Sequence, residues 1–188
     1  MGVAKMATTA TFDLVRKDEA AIPHSLRSGL ALVVSAGLPV AALGLAEMAA
    51  MSRDMYAFFF APFGLPYWVG QVAHVVQLAL LGAAFWAVCQ RNAHAPARFW
   101  LIATIAAFIA LPFVTPFLDE LQLSLVCTAL FLMGAATMYR VAKVSKLAGW
   151  LMFPMLGIVG LSATMGLAVA AYAPPFALLQ ANNPPPAV

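Results

Sequence analysis

From Leu147 to Tyr172 the chain reads LAGWLMFPMLGIVGLSATMGLAVAAY without one charged residue. A helix crosses a bilayer core with about 20 apolar residues, so this stretch is long enough to span. Small residues recur along it, at Gly149, Gly157, Gly160, Ser162, Ala163, Thr164 and Gly166, and Pro154 sits in its first third. In lipid, helices gain nothing hydrophobically by meeting one another, so small side chains that let backbones approach mark a packing face. The expectation is a spanning helix at the centre of a bundle.

The rest of the chain has the same character. Of its 188 residues 64% are hydrophobic and 9% charged, and its mean hydropathy of +0.92 lies outside the range of soluble domains. Four earlier spans are read at about residues 29–50, 67–90, 97–118 and 121–141, with 147–172 as the fifth. The fold class predicted is an all-α membrane protein, one five-transmembrane-helix bundle that leaves no length for a second domain. Residues 1–28 are polar and lack the apolar core of a signal peptide. Within them Thr11 to Ala20 reads either as a short interfacial helix or as a frayed tail. Residues 173–188 are rich in proline and read as an extended tail.

Charge orients the bundle. Lys5, Arg16, Lys17 and Arg27 precede the first span, Arg91 and Arg98 follow the second, and Arg140, Lys143 and Lys146 follow the fourth; Arg53 alone lies on the other side. The positive-inside rule then puts the N-terminus in the cytoplasm and the C-terminus outside, with a bacterial inner membrane as the expected location. The net charge of +3 resides in these topology signals, so nucleic acid is rejected as a partner and the lipid bilayer takes its place. Cys89 and Cys127 fall in apolar runs at different depths and read as small hydrophobic residues, not as a disulfide.

Two features interrupt the apolar pattern. The first loop, Met51 to Pro66, carries Tyr56, Phe58, Phe59, Phe60 and Phe63, followed by Tyr67 and Trp68 at the start of span two. Such rings suit a membrane interface, and they equally suit stacking on a flat apolar ligand held under the loop. In span two, Gln71, His74 and Gln77 recur every three residues and share one side of a helix. Polar groups at that depth face protein or a cavity. The stripe supports three readings: an interhelical hydrogen bond, a pocket wall, or, through His74, a ligand to a tetrapyrrole metal. Glu47, near the end of span one and six residues before Arg53, reads as reaching the interface or pairing with a nearby cation. No nucleophile–base pair, phosphate-binding glycine loop or acidic metal cluster is apparent, so binding is expected here and catalysis is not.

Several motifs point to one family. Gly134 to Met165 (GAATMYRVAKVSKLAGWLMFPMLGIVGLSATM), Ala61 to Val69 (APFGLPYWV), Leu111 to Phe117 (LPFVTPF) and SAGLPVAALG in span one resemble the TspO/MBR family of tryptophan-rich sensory proteins, related to the mitochondrial translocator protein. The resemblance covers about Gly29 to Tyr172. It implies a TspO-like five-helix fold and a porphyrin or other tetrapyrrole as the bound cofactor. It also implies a ligand pocket lined by Phe63, Tyr67, Trp68, His74, Pro112, Phe113, Pro154, Met155 and Ile158, and permits a homodimer. The chain departs from the family where Met155 and Ile158 stand for Tyr and Trp, where Gly166 stands for Asn, and where Phe108, Ile109 and Leu111 replace an Asn and two Trp on helix three. Those losses support the alternative of a structural accessory subunit within a larger pigment- or redox-carrying membrane complex.

Overall fold

A computed structural model describes residues 24–61, 65–91 and 95–171. Five α-helices account for most of them: α1 (His24–Met51), α2 (Tyr67–Cys89), α3 (Ala95–Val114), α4 (Glu120–Val144) and α5 (Lys146–Ala170). All five regions are long and apolar enough to cross a membrane, so the expected five-span, all-helical architecture is present. The surface interfacial segment expected before residue 24, the tail after residue 172 and Phe63 lie outside the described residues.

The helix ends follow from local chemistry. Pro116 lies within a 3-10 turn, Thr115–Phe117, that closes α3. Asp119 then caps α4: its carboxylate accepts the Gln122 N–H at 2.7 Å, while the Gln122 side chain reaches back to the Asp119 N–H at 3.4 Å. This reciprocal cap lets two antiparallel helices meet across a very short turn. At the other end Ser145 is the only residue between α4 and α5, and its hydroxyl accepts the Ala148 N–H.

The helices form a ring in the order α1, α2, α5, α4, α3, with α3 lying against both α2 and α1. The most extensive contact is between α4 and α5. The expectation of α5 as the central helix is corrected: 44% of the most apolar stretch of α2 is buried, against 28% for α5. Close approach explains the difference. The glycines of α5 let it touch α4, as at Gly149, where a Cβ would stand 2.8 Å from that of Ala142. Its other face, with Trp150 and Phe153, points outward. By contrast α2 has neighbours on three sides.

Helix α1 is seated on α2 at one point of very close approach. Pro39 has no N–H, so the Ser35 carbonyl loses its helical donor. That carbonyl lies against Gly82 of α2, where a Cβ would overlap its oxygen and stand 2.8 Å from Ala36 Cα. The glycine hydrogen occupying that direction points at the freed oxygen, a weak C–H···O contact that only glycine permits. Between α3 and α4 the fully buried Thr104 and Thr137 hydroxyls are 2.9 Å apart. Each also lies in reach of a carbonyl on its own helix, that of Trp100 or Met133. With one proton per hydroxyl, one threonine donates across the interface and the other donates back along its helix. Cys89 and Cys127 are free thiols, as expected.

Candidate functional site

The segment after α1 crosses the end of the bundle as a strap, residues 55–61, and is pinned from three directions. Pro112 O would normally accept from residue 116, but that residue is a proline without an N–H. The Phe58 N–H takes its place at 2.8 Å. The Tyr67 hydroxyl donates to the Ala57 carbonyl at 2.7 Å. The Phe60 carbonyl rests on Gly70, where a Cβ would stand 2.5 Å from its oxygen. Asp54, with φ of 56°, makes the left-handed turn that starts the strap.

Beneath the strap lies a cavity of about 270 Å³. Its roof is Phe58 to Phe60, and its walls come from the first half of α2, the end of α3, the start of α4 and the second half of α5. Phe59 is buried and meets His74 edge-on, with ring centroids 5.3 Å apart. On its other side the His74 ring stacks on Phe108 at 4.1 Å, tilted by 22°. Most of the lining is apolar side chain: Leu111, Leu123, Ile158, Val159, Met165 and Val169. The Ser162 and Thr115 hydroxyls in the wall are already used, donating to the carbonyls of Ile158 and Leu111.

Two buried polar atoms in this wall have no partner, His74 Nε2 and Gln77 Oε1. Leaving a polar group unsatisfied in a low-dielectric interior costs about 1–3 kcal/mol, and these two lie just behind the cavity wall on one face of α2. Glu120, exposed in the first turn of α4, also borders the cavity. The cavity can hold an apolar molecule, and a hydrogen-bonding group on it meets the covered His74 Nε2 and Gln77 Oε1 once the surrounding rings shift.

Of the residues expected in the pocket, His74, Pro112 and Ile158 line the cavity. Tyr67 acts on the strap through its hydroxyl, and Trp68 is 62% exposed on the outside of α2. Phe113 packs half-buried against the core, Met155 is buried within it, and Pro154 is exposed on the outer face of α5. Gln71 of the polar stripe stands outside the lining, whereas Gln77 belongs to it. The residues not anticipated include Phe108, Leu123, Val159, Ser162, Met165, Gly166 and Val169. Those of α5 were legible as one helical face running from Ile158 toward Val169.

The tetrapyrrole implied by the resemblance finds a mixed fit. Phe58 and Phe60 in the roof suit a flat ring, whereas Phe59 and Phe108 are buried against His74, and the volume lies at the lower edge of the range of about 300–1,000 Å³ typical of small-molecule pockets. His74 Nε2 is covered, a poor position for an axial metal ligand. No family model, curated protein or solved structure matches this chain.

Proposed function

We propose that this protein is a TspO-like membrane binding protein for a flat lipophilic ligand carrying a hydrogen-bonding group, with a porphyrin as the compound to test first. It works by binding, not by chemistry at a bond. The observation that carries the reading is the apolar cavity under a pinned strap, with the unpartnered His74 Nε2 and Gln77 Oε1 just behind its wall. A compact ring system fits with the strap down. A full macrocycle requires the strap to lift, breaking the Phe58–Pro112 and Tyr67–Ala57 hydrogen bonds. Strap position thereby becomes the signal that a partner reads.

Titration of protoporphyrin into the purified protein, followed by the absorbance of the ligand, tests this. Saturable binding is expected. Ser162→Trp, which fills the cavity from α5, is expected to weaken it by more than about tenfold, the equivalent of 1.4 kcal/mol. Trp68→Ala, on the outer surface, is expected to leave it unchanged. Equal binding by the wild type and Ser162→Trp rules this cavity out as the site.

In this reading the chain sits in a bacterial inner membrane with its basic end in the cytoplasm. The support is the segregation of charge: Arg27, Arg91, Arg98, Arg140, Lys143 and Lys146 are at one end, and Glu47, Asp54, Asp119 and Glu120 with Arg53 are at the strap end. Basic loops resist translocation, which sets the orientation. A reporter active only in the cytoplasm is expected to be silent when fused after Val188 and active when inserted between Lys143 and Lys146. The reverse pattern would invert the bundle.

A further inference from the structure

At the basic end a groove of about 320 Å³ runs between α4 and α5 on the outer surface, lined by Met138, Ala142, Lys146, Gly149, Trp150 and Phe153. Gly149 and Ala142 meet closely and make its floor. Met138 forms one bank, and the rings of Trp150 and Phe153, 6.1 Å apart, form the other. These rings are 72% and 59% exposed. From Lys146, at the helix turn, to Phe153 is seven residues along α5, a depth of about 10 Å into the membrane. The groove therefore starts at headgroup level with a cation and continues as an apolar channel in the hydrocarbon.

The charges around its mouth are unbalanced. Arg140 lies over the Trp100 ring at 5.0 Å and Lys143 over the Tyr139 ring at 4.2 Å, so both are held by aromatic faces. Among the described residues no carboxylate lies at this end of the bundle. Trp86 Nε1 and Arg98 Nε, two more donors within about a turn of the same end, are buried without an acceptor. Among the described residues, the charged side chains at this end are all basic.

We propose that the groove is a selective seat for an anionic phospholipid. One acyl chain lies between Met138 and the Trp150 and Phe153 rings, and the phosphate meets Lys146, with Lys143 and Arg140 strengthening the local field. A second copy of the chain is a poorer occupant, because a symmetric contact here sets Lys146, Lys143 and Arg140 of each copy against those of the other, with no carboxylate among the described residues to separate them. A zwitterionic lipid fills the channel equally well but leaves the charge unmatched.

The test uses the full chain in nanodiscs, with Trp68, Trp86 and Trp100 changed to Phe so that Trp150 alone emits. Phosphatidylglycerol or phosphatidylcholine with brominated acyl chains is added to a phosphatidylcholine background. Quenching of Trp150 is expected at about fivefold lower mole fraction of the anionic lipid, the preference that one basic residue near a membrane surface carries. Lys146→Gln is expected to remove most of that preference while Trp150 stays accessible. Equal quenching by the two lipids, or an unchanged preference in Lys146→Gln, overturns the proposal. Quenching by neither means that protein covers the groove, either a second copy or residues 1–23, and overturns it too. Mass spectrometry of the protein released from mixed micelles, with and without Lys146→Gln, reads the same preference with all four tryptophans in place.

Discussion

Gly82→Ala is expected to destabilise the bundle by about 3 kcal/mol, the upper end of the cost of overpacking a close-packed interior. The methyl group meets backbone on both counts, the Ser35 carbonyl oxygen and Ala36 Cα, and backbone cannot rotate aside as a side-chain tip can. Helix α1 must move away from α2 as a body. It has little else to hold it, since Pro39, Leu43 and Ala50 are its buried residues and most of the remainder faces outward. The control is Gly37→Ala on α1, where a Cβ meets nothing within 4 Å. There the exchange gains up to about 1 kcal/mol of helix propensity, so stability is expected to hold or rise. Unfolding in mixed micelles with increasing denaturing detergent measures both. If Gly82→Ala unfolds with the wild type, α1 is not seated at Ser35 and the ring order of the helices needs revision.

This contact also marks the limit of what small residues reveal before a structure is known. In α5, Gly149, Gly160 and Gly166 do lie close against α4, whereas a Cβ at Gly157 would meet nothing within 4 Å. The run of glycines did not indicate centrality, because contact on one side is compatible with exposure on the other, as Trp150 and Phe153 demonstrate. The centre is α2, whose buried set includes Gly70, His74, Gln77, Leu78, Leu81 and Gly82. Its clearest advance sign was the pair His74 and Gln77, since polar groups are tolerated in a span only where they avoid lipid.

The five spans were legible because length and hydropathy suffice to define a transmembrane helix, and their ends shifted by a few residues for local reasons. Helix α1 is already helical at His24, ahead of the span read from residue 29, since polar residues extend a helix beyond the apolar core. Helix α3 stops at Val114 and passes through a 3-10 turn containing Pro116. The site was legible only in part. Tyr67 and Trp68 are consecutive and so point about 100° apart on a helix, and neither direction is fixed by composition. Pro154 and Met155 belong to a motif, but the cavity occupies the strap half of the bundle, and on α5 only residues from Ile158 onward reach it. The strap's anchoring on Pro112 depended on Pro116, four residues away, leaving a carbonyl free for a third segment.

The double variant His74→Phe, Gln77→Leu is expected to move stability and binding in opposite directions. Phenylalanine keeps the stack on Phe108 and the edge contact with Phe59, and leucine nearly matches the volume of glutamine. What disappears is chiefly two buried polar atoms without partners, His74 Nε2 and Gln77 Oε1, along with a hydrogen bond of the His74 ring to the Phe108 backbone. Removing that penalty is expected to stabilise the ligand-free protein by about 1–3 kcal/mol. A natural chain retains such a cost where function needs the groups, so porphyrin binding is expected to fall by at least about tenfold. The competing account, in which the stripe exists to bond helices together, predicts the opposite sign for stability, a loss of about 0.6 kcal/mol for each interhelical hydrogen bond removed. Detergent unfolding of the ligand-free protein separates the two accounts, and the porphyrin titration on the same sample decides whether these groups anchor the ligand. A variant that is destabilised and still binds like the wild type assigns His74 and Gln77 to the scaffold and moves the ligand's polar contact toward Glu120.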